Sequence, residues 1–347
     1  MLPPRGWRFA LLISNLHLQF FVHKQTEEDE TMPLLKVSLV TNDKDGTVEA
    51  TAGVFPAGCE VLVQTEDEMR AMIGKLNVLV PGHINVDAAL IEQGQNLKLI
   101  HCGTGYNNVD LDAASNVGSY VAVTPNVAAQ SVAELVFSSF SALKNRIRQF
   151  DNIMKNGGWK TTDFIGAPEF KGKTLGVVGY GNIGKCAATI ARGYGMNVIA
   201  HDPYCKDSGG MKLVELDELL RESDFITLHV LLTDETKGLI STGQFDMMKD
   251  TAVLANACRG PVIDETALIE ALQQNKIAGA CIDVFEKEPL DPNSGLRSLD
   301  NAMLTPHIAY CSDEALAGRY EFFANNCQKI LDGEVPNMAV NAEQVKS

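Results

Sequence analysis

Three residues whose types can grip an anion and move a proton sit just past short apolar runs in the second half of the chain. Arg259 follows VLANAC, Glu288 lies five residues beyond the Asp283 that ends AGACID, and His307 follows MLTP. An arginine presents a planar fork of N–H donors that grips a carboxylate and reaches an adjacent carbonyl oxygen. A histidine can give a proton to that carbonyl as it is reduced and take it back in reverse, help worth about 10²–10⁴ in rate. A carboxylate on the other imidazole nitrogen fixes the tautomer. Singly, each has an ordinary reading: a surface arginine, an aspartate capping the next helix, a histidine filling the turn after Pro306. Their common position after successive strands argues for them together, and His229, after FITL, joins the row.

The stretch that positions this row runs from Lys173 to Asp202. Leu175–Val178 is an apolar run of strand length, followed by Gly179, Gly181 and Gly184 in G-x-G-x-x-G spacing, a helix-compatible segment, and a second strand at Asn197–Ala200. The first glycine permits the tight turn, the second lets backbone approach a pyrophosphate, and the third lets the helix pack on the strand. Tyr180, Asn182 and Ile183 complete the loop, and the anion would sit at the helix N-terminus. Asp202, 18 residues after Gly184, is placed to accept from ribose hydroxyls and to repel a 2′-phosphate, which predicts NAD over NADP. Ligands of open parallel sheets bind outside the strand carboxyl ends, so His229, Arg259, Asp283, Glu288 and His307 fall on the nicotinamide edge.

The rest of the chain alternates apolar runs with helix-like segments, as parallel sheets require. From Lys36 to Asn126 the runs are KVSLV, EVLV, NVLV, LKLIH and YVAV. Two polar turns follow strands there, Pro81-Gly82-His83 and His101-Cys102-Gly103-Thr104-Gly105-Tyr106, so His83 and His101 are expected on loops facing a cleft. Ala129 to about Asn156 reads as one long helix, ended by Gly157, Gly158 and a hinge-like loop through Pro168. Later strands are predicted at 225–230, 252–256, 278–284 and 302–305, helices at Leu216–Arg221 and Glu265–Gln274, and a last helix at Ser312–Leu331 before a polar, loose tail. The fold class is α/β: two doubly wound parallel-sheet domains, Rossmann-like or flavodoxin-like, with a cleft between them.

Composition narrows the partners. The 347 residues suffice for two domains with real cores. A net charge of −15 argues against nucleic acid and against an anionic membrane surface. No run reaches the roughly 18 apolar residues of a membrane span. Eight scattered cysteines without C-x-x-C pairs predict reduced thiols in a cytoplasmic protein, with no disulfide frame and no metal site. Residues 1–31 stand outside the pattern and read as an extension. Organelle targeting is the other reading, since Arg5, Arg8 and Lys24 accompany the apolar Phe9–Ile13.

From about Lys36 to Gly333 the chain resembles the D-isomer-specific 2-hydroxyacid dehydrogenase family. The resemblance rests on CGTGYNNVD (102–110), SVAE (131–134), GYGNIG (179–184), HVLLTDET (229–236), NACRGPVID (256–264), CIDVFEKEP (281–289) and TPHIA (305–309). It implies an NAD-dependent oxidoreductase passing hydride between nicotinamide and C2 of a small 2-keto acid or D-2-hydroxy acid, with Arg259, Glu288 and His307 catalytic. It implies cofactor contacts at the glycine loop, Asp202, His229, Thr233, Ala257, Cys258 and Asp283, the last near the carboxamide. Substrate contacts are implied at His83, Gly103-Thr104-Gly105, Asn126 and Arg259. The implied architecture is a discontinuous substrate-binding domain, residues 32–130 and 310–340, around an NAD domain at 131–309 through which two subunits pair.

Departures from the family pattern bear on specificity. His229-Val230-Leu231-Leu232-Thr233 lacks the proline of H-x-P-x-T, and Tyr310-Cys311 replace small residues, so Tyr310 narrows the substrate site or stacks on the nicotinamide. The loop Val80-Pro81-Gly82-His83 has no arginine, which favours hydroxypyruvate, glyoxylate or pyruvate over phosphohydroxypyruvate. The alternatives are phosphoglycerate dehydrogenase-like activity and an NAD(H)-sensing, corepressor-like binding protein. Formate oxidation is disfavoured by Glu288, where such relatives pair the histidine with glutamine.

Overall fold

In the computed structural model the described residues are 35–42, 44–159 and 166–345. The extension assigned to residues 1–31 lies outside them, as does part of the proposed hinge.

The first half builds β1 (Leu35–Val40), α1 (Lys44–Thr51), β2 (Cys59–Gln64), α2 (Glu66–Met72), β3 (Val78–Val80), α3 (Ala88–Gln93), β4 (Leu99–Cys102), α4 (Leu111–Asn116) and β5 (Tyr120–Val123). The five strands form one parallel sheet in the order β2-β1-β3-β4-β5. Every apolar run read as a strand is one. Alternate strand residues feed two cores: Leu79, Ile100 and Val121 pack with α2 to α4, whereas Val37, Leu39, Val78 and Leu99 pack with Tyr320, Phe323 and Ile330 from the C-terminal helix. The helix starts follow the sequence locally, since Thr65, Asp87 and Asp110 accept from the third residue onward at the N-termini of α2, α3 and α4.

The second half supplies α5 (Ala129–Lys144), α6 (Ile147–Lys155), β6 (Thr174–Val178), α7 (Asn182–Gly193), β7 (Asn197–His201), α8 (Leu216–Glu222), β8 (Phe225–Leu228), α9 (Thr242–Phe245), β9 (Val253–Asn256), α10 (Glu265–Gln273), β10 (Gly279–Ile282), β11 (Ala302–Leu304) and α11 (Asp313–Leu331). Its parallel sheet has the order β11-β10-β9-β8-β6-β7. Strand order reverses between β6 and β8, and there the crevice for a ligand opens. Leu175, Val177 and Ala255 face α5 and α7, while Val178, Leu254 and Ile282 face α8 to α10. Among the described residues no helix is long and apolar enough to cross a membrane.

Two expectations change. The long helix from Ala129 is broken: Asn145 turns its side-chain amide back to the Ser141 carbonyl at 3.0 Å, and Arg146 takes φ 51°, a left-handed conformation that no helix continues through. α5 buries Val132, Val136, Phe137 and Phe140, whereas α6 buries nothing. The polar tail is docked. Ala339 bridges Ala122, Val340 N–H donates to the Val121 carbonyl, and the fully buried Asn341 accepts from Val121 N–H at 2.7 Å while donating to the Ser119 carbonyl and the Ser115 hydroxyl at 3.0 Å. A polar residue here completes the hydrogen bonds of an edge strand, which hydropathy reads as looseness.

Candidate active site

The glycine loop joins β6 to α7. Gly179 has φ 91°, and a methyl there would lie 2.5 Å from the His229 carbonyl oxygen. At Gly184 it would lie 2.3 Å from the Gly179 carbonyl and 2.9 Å from Val177, so the helix could not approach the strand. Gly181, the N-cap of α7, has open space at that position, as a backbone meant to meet a ligand requires. Asp202 accepts from Tyr180 N–H at 2.9 Å and Tyr204 N–H at 3.0 Å, which holds its carboxylate beside the loop. The Tyr180 ring is buried, and Ile183 packs against the cluster of Ala128, Val132, Ala309 and Ala315. His229 bonds Thr227 through Nε2 at 2.9 Å, while its buried Nδ1 has no hydrogen-bond partner in the protein. Burial pushes its pKa down to about 3, so the ring is neutral. An open glycine at a helix start, an acid in register and an orphaned buried nitrogen together fit a bound dinucleotide.

At the ends of β9, β10 and β11 the other predicted residues converge. His307 Nδ1 lies 2.7 Å from Glu288 Oε2, and Phe285 N–H donates to Glu288 Oε1 at 3.1 Å. Burial raises the Glu288 pKa, but its hydrogen bonds with His307 and Phe285 and the charges of His307 and His83 outweigh that, and the net shift is downward. The carboxylate therefore accepts, Nδ1 carries the hydrogen, and Nε2 is left for chemistry.

His307 itself has φ 54°. Asp283 enforces this: its backbone carbonyl accepts from His307 N–H at 2.8 Å, and its buried carboxylate accepts from Thr305 Oγ1, Ile308 N–H and Ala309 N–H at 2.6, 2.9 and 2.9 Å. A strained turn persists where its surroundings over-determine it. Asp283, expected near the carboxamide, here organises the turn that presents His307.

Arg259 reaches across to the first half. A methyl on Gly105 would fall 1.9 Å from Arg259 Nη2, so the guanidinium lies against the Gly103-Thr104-Gly105 loop, held by a 2.7 Å bond from Nη1 to the Cys258 carbonyl. Asn182 of the glycine loop donates to Asn126, and Asn107 donates to the Leu232 carbonyl at 3.2 Å. His83 stacks obliquely on His307, ring centroids 4.5 Å apart, and Tyr310 stands 6.1 Å from both. One ligand atom each from His83, Glu288 and His307 lies within 4.8 Å of the others, a spacing that three residues so distant in sequence do not reveal and that could hold a metal ion.

Other predicted residues are placed elsewhere. Thr233 is tied into an exposed turn with Thr236, Ala257 packs beneath the site, and Cys258 is buried against Asn256 with its thiol pushed up to about 11 by burial. His101 does not face the cleft. It is fully buried, accepts from Asn326 Nδ2 at 2.9 Å through Nε2, and donates from Nδ1 to the Cys102 carbonyl at 3.1 Å, linking β4 to α11. Sequence reasoning missed Ser131, whose hydroxyl anchors the Ala309 carbonyl at 2.9 Å, and Arg319, whose guanidinium stacks on Tyr310.

Residues 137–309 match the profile of the D-isomer specific 2-hydroxyacid dehydrogenase NAD-binding domain. The chain is 40% identical over 274 residues to a glyoxylate reductase of Thermococcus litoralis, covering 76% of this chain and 82% of that one. It is 38% identical over 298 residues to a D-3-phosphoglycerate dehydrogenase of Archaeoglobus fulgidus, 83% of this chain but only 56% of that longer enzyme. Among solved structures, D-lactate dehydrogenase of Aquifex aeolicus complexed with NAD and lactic acid superposes with a TM-score of 0.75 at 28% identity, over 89% of this chain and 97% of that one. With an NAD-binding half matched in sequence and both halves matched in structure, the chain belongs to the D-isomer-specific 2-hydroxyacid dehydrogenases, a family of NAD-dependent oxidoreductases.

Proposed function

We propose that the protein interconverts a small 2-keto acid and its D-2-hydroxy acid, with Arg259, Glu288 and His307 as the reacting machinery. The observation that carries this reading is the pairing of His307 Nδ1 with Glu288 at 2.7 Å beside an arginine pressed against Gly105. Arg259 and the backbone of Gly103-Thr104-Gly105 hold the α-carboxylate, with Asn126 close by. His307 Nε2 gives its proton to the carbonyl oxygen in reduction and takes it back in oxidation. Glu288 keeps the ring in the tautomer that allows this. NAD, when bound, supplies the hydride acceptor and in its reduced form the donor. The glycine loop, Asp202 and His229 hold that cofactor.

Supporting a substrate domain of residues 32–130 and 310–340 around an NAD domain of 131–309 is the packing of α11 on the first sheet. Closure of the two over the cleft would exclude water before hydride transfer. Subunit pairing through the NAD domain is supported by α6, which leaves Ile147 and Met154 exposed with Trp159 just beyond. Eight free thiols accord with a reducing compartment such as the cytoplasm.

NADH oxidation at 340 nm against hydroxypyruvate, glyoxylate, pyruvate, phenylpyruvate, 2-ketoglutarate and phosphohydroxypyruvate tests the reading, with NADPH in parallel. Turnover of one acid with NADH is expected. Absence of turnover on all of them, with NADH still bound, would refute it.

A further inference from the structure

Along α11, Ala315, Arg319 and Phe323 recur at intervals of four, which puts a cation on the stripe of the helix that packs inward. Its neighbours on that stripe are buried, Ala315 at 3% and Phe323 at 1% exposure. The Arg319 guanidinium carbon lies 5.2 Å from the centroid of Tyr310 and 5.6 Å from those of Tyr320 and Phe323. Its Nε is buried without a hydrogen-bond partner, and among the described residues no carboxylate is within ion-pair distance of it.

A partly buried charge without a counter-ion is unfavourable, and it stands out in a chain of net charge −15. Cation–π contacts with three rings compensate it in part. His83 and His307 each lie 6.1 Å from Tyr310 between ring centroids. Burial first, and then the charge of His307, lowers the His83 pKa, and the nearby charges of Arg319 and Arg259 add to the effect against the opposing Glu288. The α-carboxylate already has Arg259. A second anion on the same substrate would find its counter-charge at this wall.

We propose that Arg319, with the Tyr310 hydroxyl and His83, recognises an anionic group at C3 or beyond, so that the preferred substrates are 2-keto acids carrying a second negative charge. This rests on the dehydrogenase reading above and narrows its substrate class. The loop at Val80–His83 lacks an arginine, and the cation comes instead from the last helix. A phosphate ester and a carboxylate share the required chemistry.

The test compares kcat/KM for phosphohydroxypyruvate against hydroxypyruvate, and for oxaloacetate against 2-ketobutyrate, in the wild type, Arg319→Met and Arg319→Lys. The wild type should prefer the doubly charged acid of at least one pair; the first pair would identify a phosphate, the second a carboxylate. Arg319→Met should cut that preference by about tenfold to a hundredfold, the range expected for a hydrogen bond to a charged group. Its effect on hydroxypyruvate and 2-ketobutyrate should be clearly smaller, and Arg319→Lys should retain most of the preference. Preference for the neutral partner in both pairs, or an equal loss on all four acids in Arg319→Met, would overturn the assignment. If Arg319→Met does not fold, wild-type selectivity still decides: it should fall between low and high salt as screening weakens the charge, and a salt-independent ratio would overturn the proposal. No turnover of any of the four acids would instead sink the dehydrogenase reading, and this inference with it.

Discussion

His307, the proton-transferring residue of the proposed mechanism, shows how much of a side chain's readiness is set by its neighbours. Its left-handed backbone is held by Asp283, its tautomer by Glu288, and one face of its ring by His83. Replacing His307 by Ala should lower kcat by about 10²–10⁴, with NADH affinity by fluorescence titration unchanged. Unchanged turnover would remove it from the mechanism. Glu288→Gln keeps the shape but loses the acceptor charge, so a comparable fall in kcat with an unchanged NADH Kd is expected. The lowered pKa of Glu288 makes its carboxylate available throughout the neutral range. Its contribution to the folded state is complete above the ordinary pKa of 4.5 and is lost as pH falls through the lowered value. These residues were legible from their positions after strands, whereas Arg319 was not: its only signal is a charge on an inward helical stripe, and the contact that gives it meaning lies with Tyr310 in the turn before the helix.

At the scale of elements, the strand–glycine loop–helix unit separates folding from binding. Gly184→Ala places a methyl 2.3 Å from the Gly179 carbonyl and should depress the melting temperature and NADH binding together. Gly181→Ala has room in the free protein, so its melting temperature should hold while NADH affinity drops by about tenfold or more, because the added methyl meets only the ligand. Equal affinity in Gly181→Ala and wild type would place the cofactor elsewhere. The break between α5 and α6 separates a helix that builds the NAD-domain core from one with an outward apolar side. If that side pairs subunits, Ile147→Glu should convert a dimer to monomers in sedimentation velocity. A wild type that sediments as a monomer would refute the pairing.

Across the whole molecule, buried neutral histidines tie stability to pH. His101 and His229 each have a pKa pushed down from 6.5 to about 3, by burial in both cases. Above pH 6.5 neither the folded nor the unfolded chain holds these protons, and the stability they permit is fully present. As pH falls from 6.5 toward 3 the unfolded chain takes up protons that the folded chain refuses, and stability declines. Thermal melts from pH 8 to pH 4 should show this fall, and His101→Gln should flatten it. The C-terminal segment contributes through hydrogen bonds rather than titration: Asn341→Ala strands Val121 N–H and the Ser119 carbonyl and should cost about 1–3 kcal/mol in urea unfolding.

The sequence alone determined the α/β alternation, the strands of both sheets, the dinucleotide loop and the row Arg259, Glu288, His307, because each is written in local periodicity, glycine spacing or position after a strand. Tertiary structure decided what depends on partners far along the chain. It turned His101 from a cleft candidate into a buried link to Asn326, and it docked the polar tail on β5 through Asn341. It laid Arg259 against Gly105, and it brought His83, Tyr310 and Arg319 to one wall around His307. A side chain's type is local, whereas its burial and counter-charge are set by whichever elements the fold packs against it.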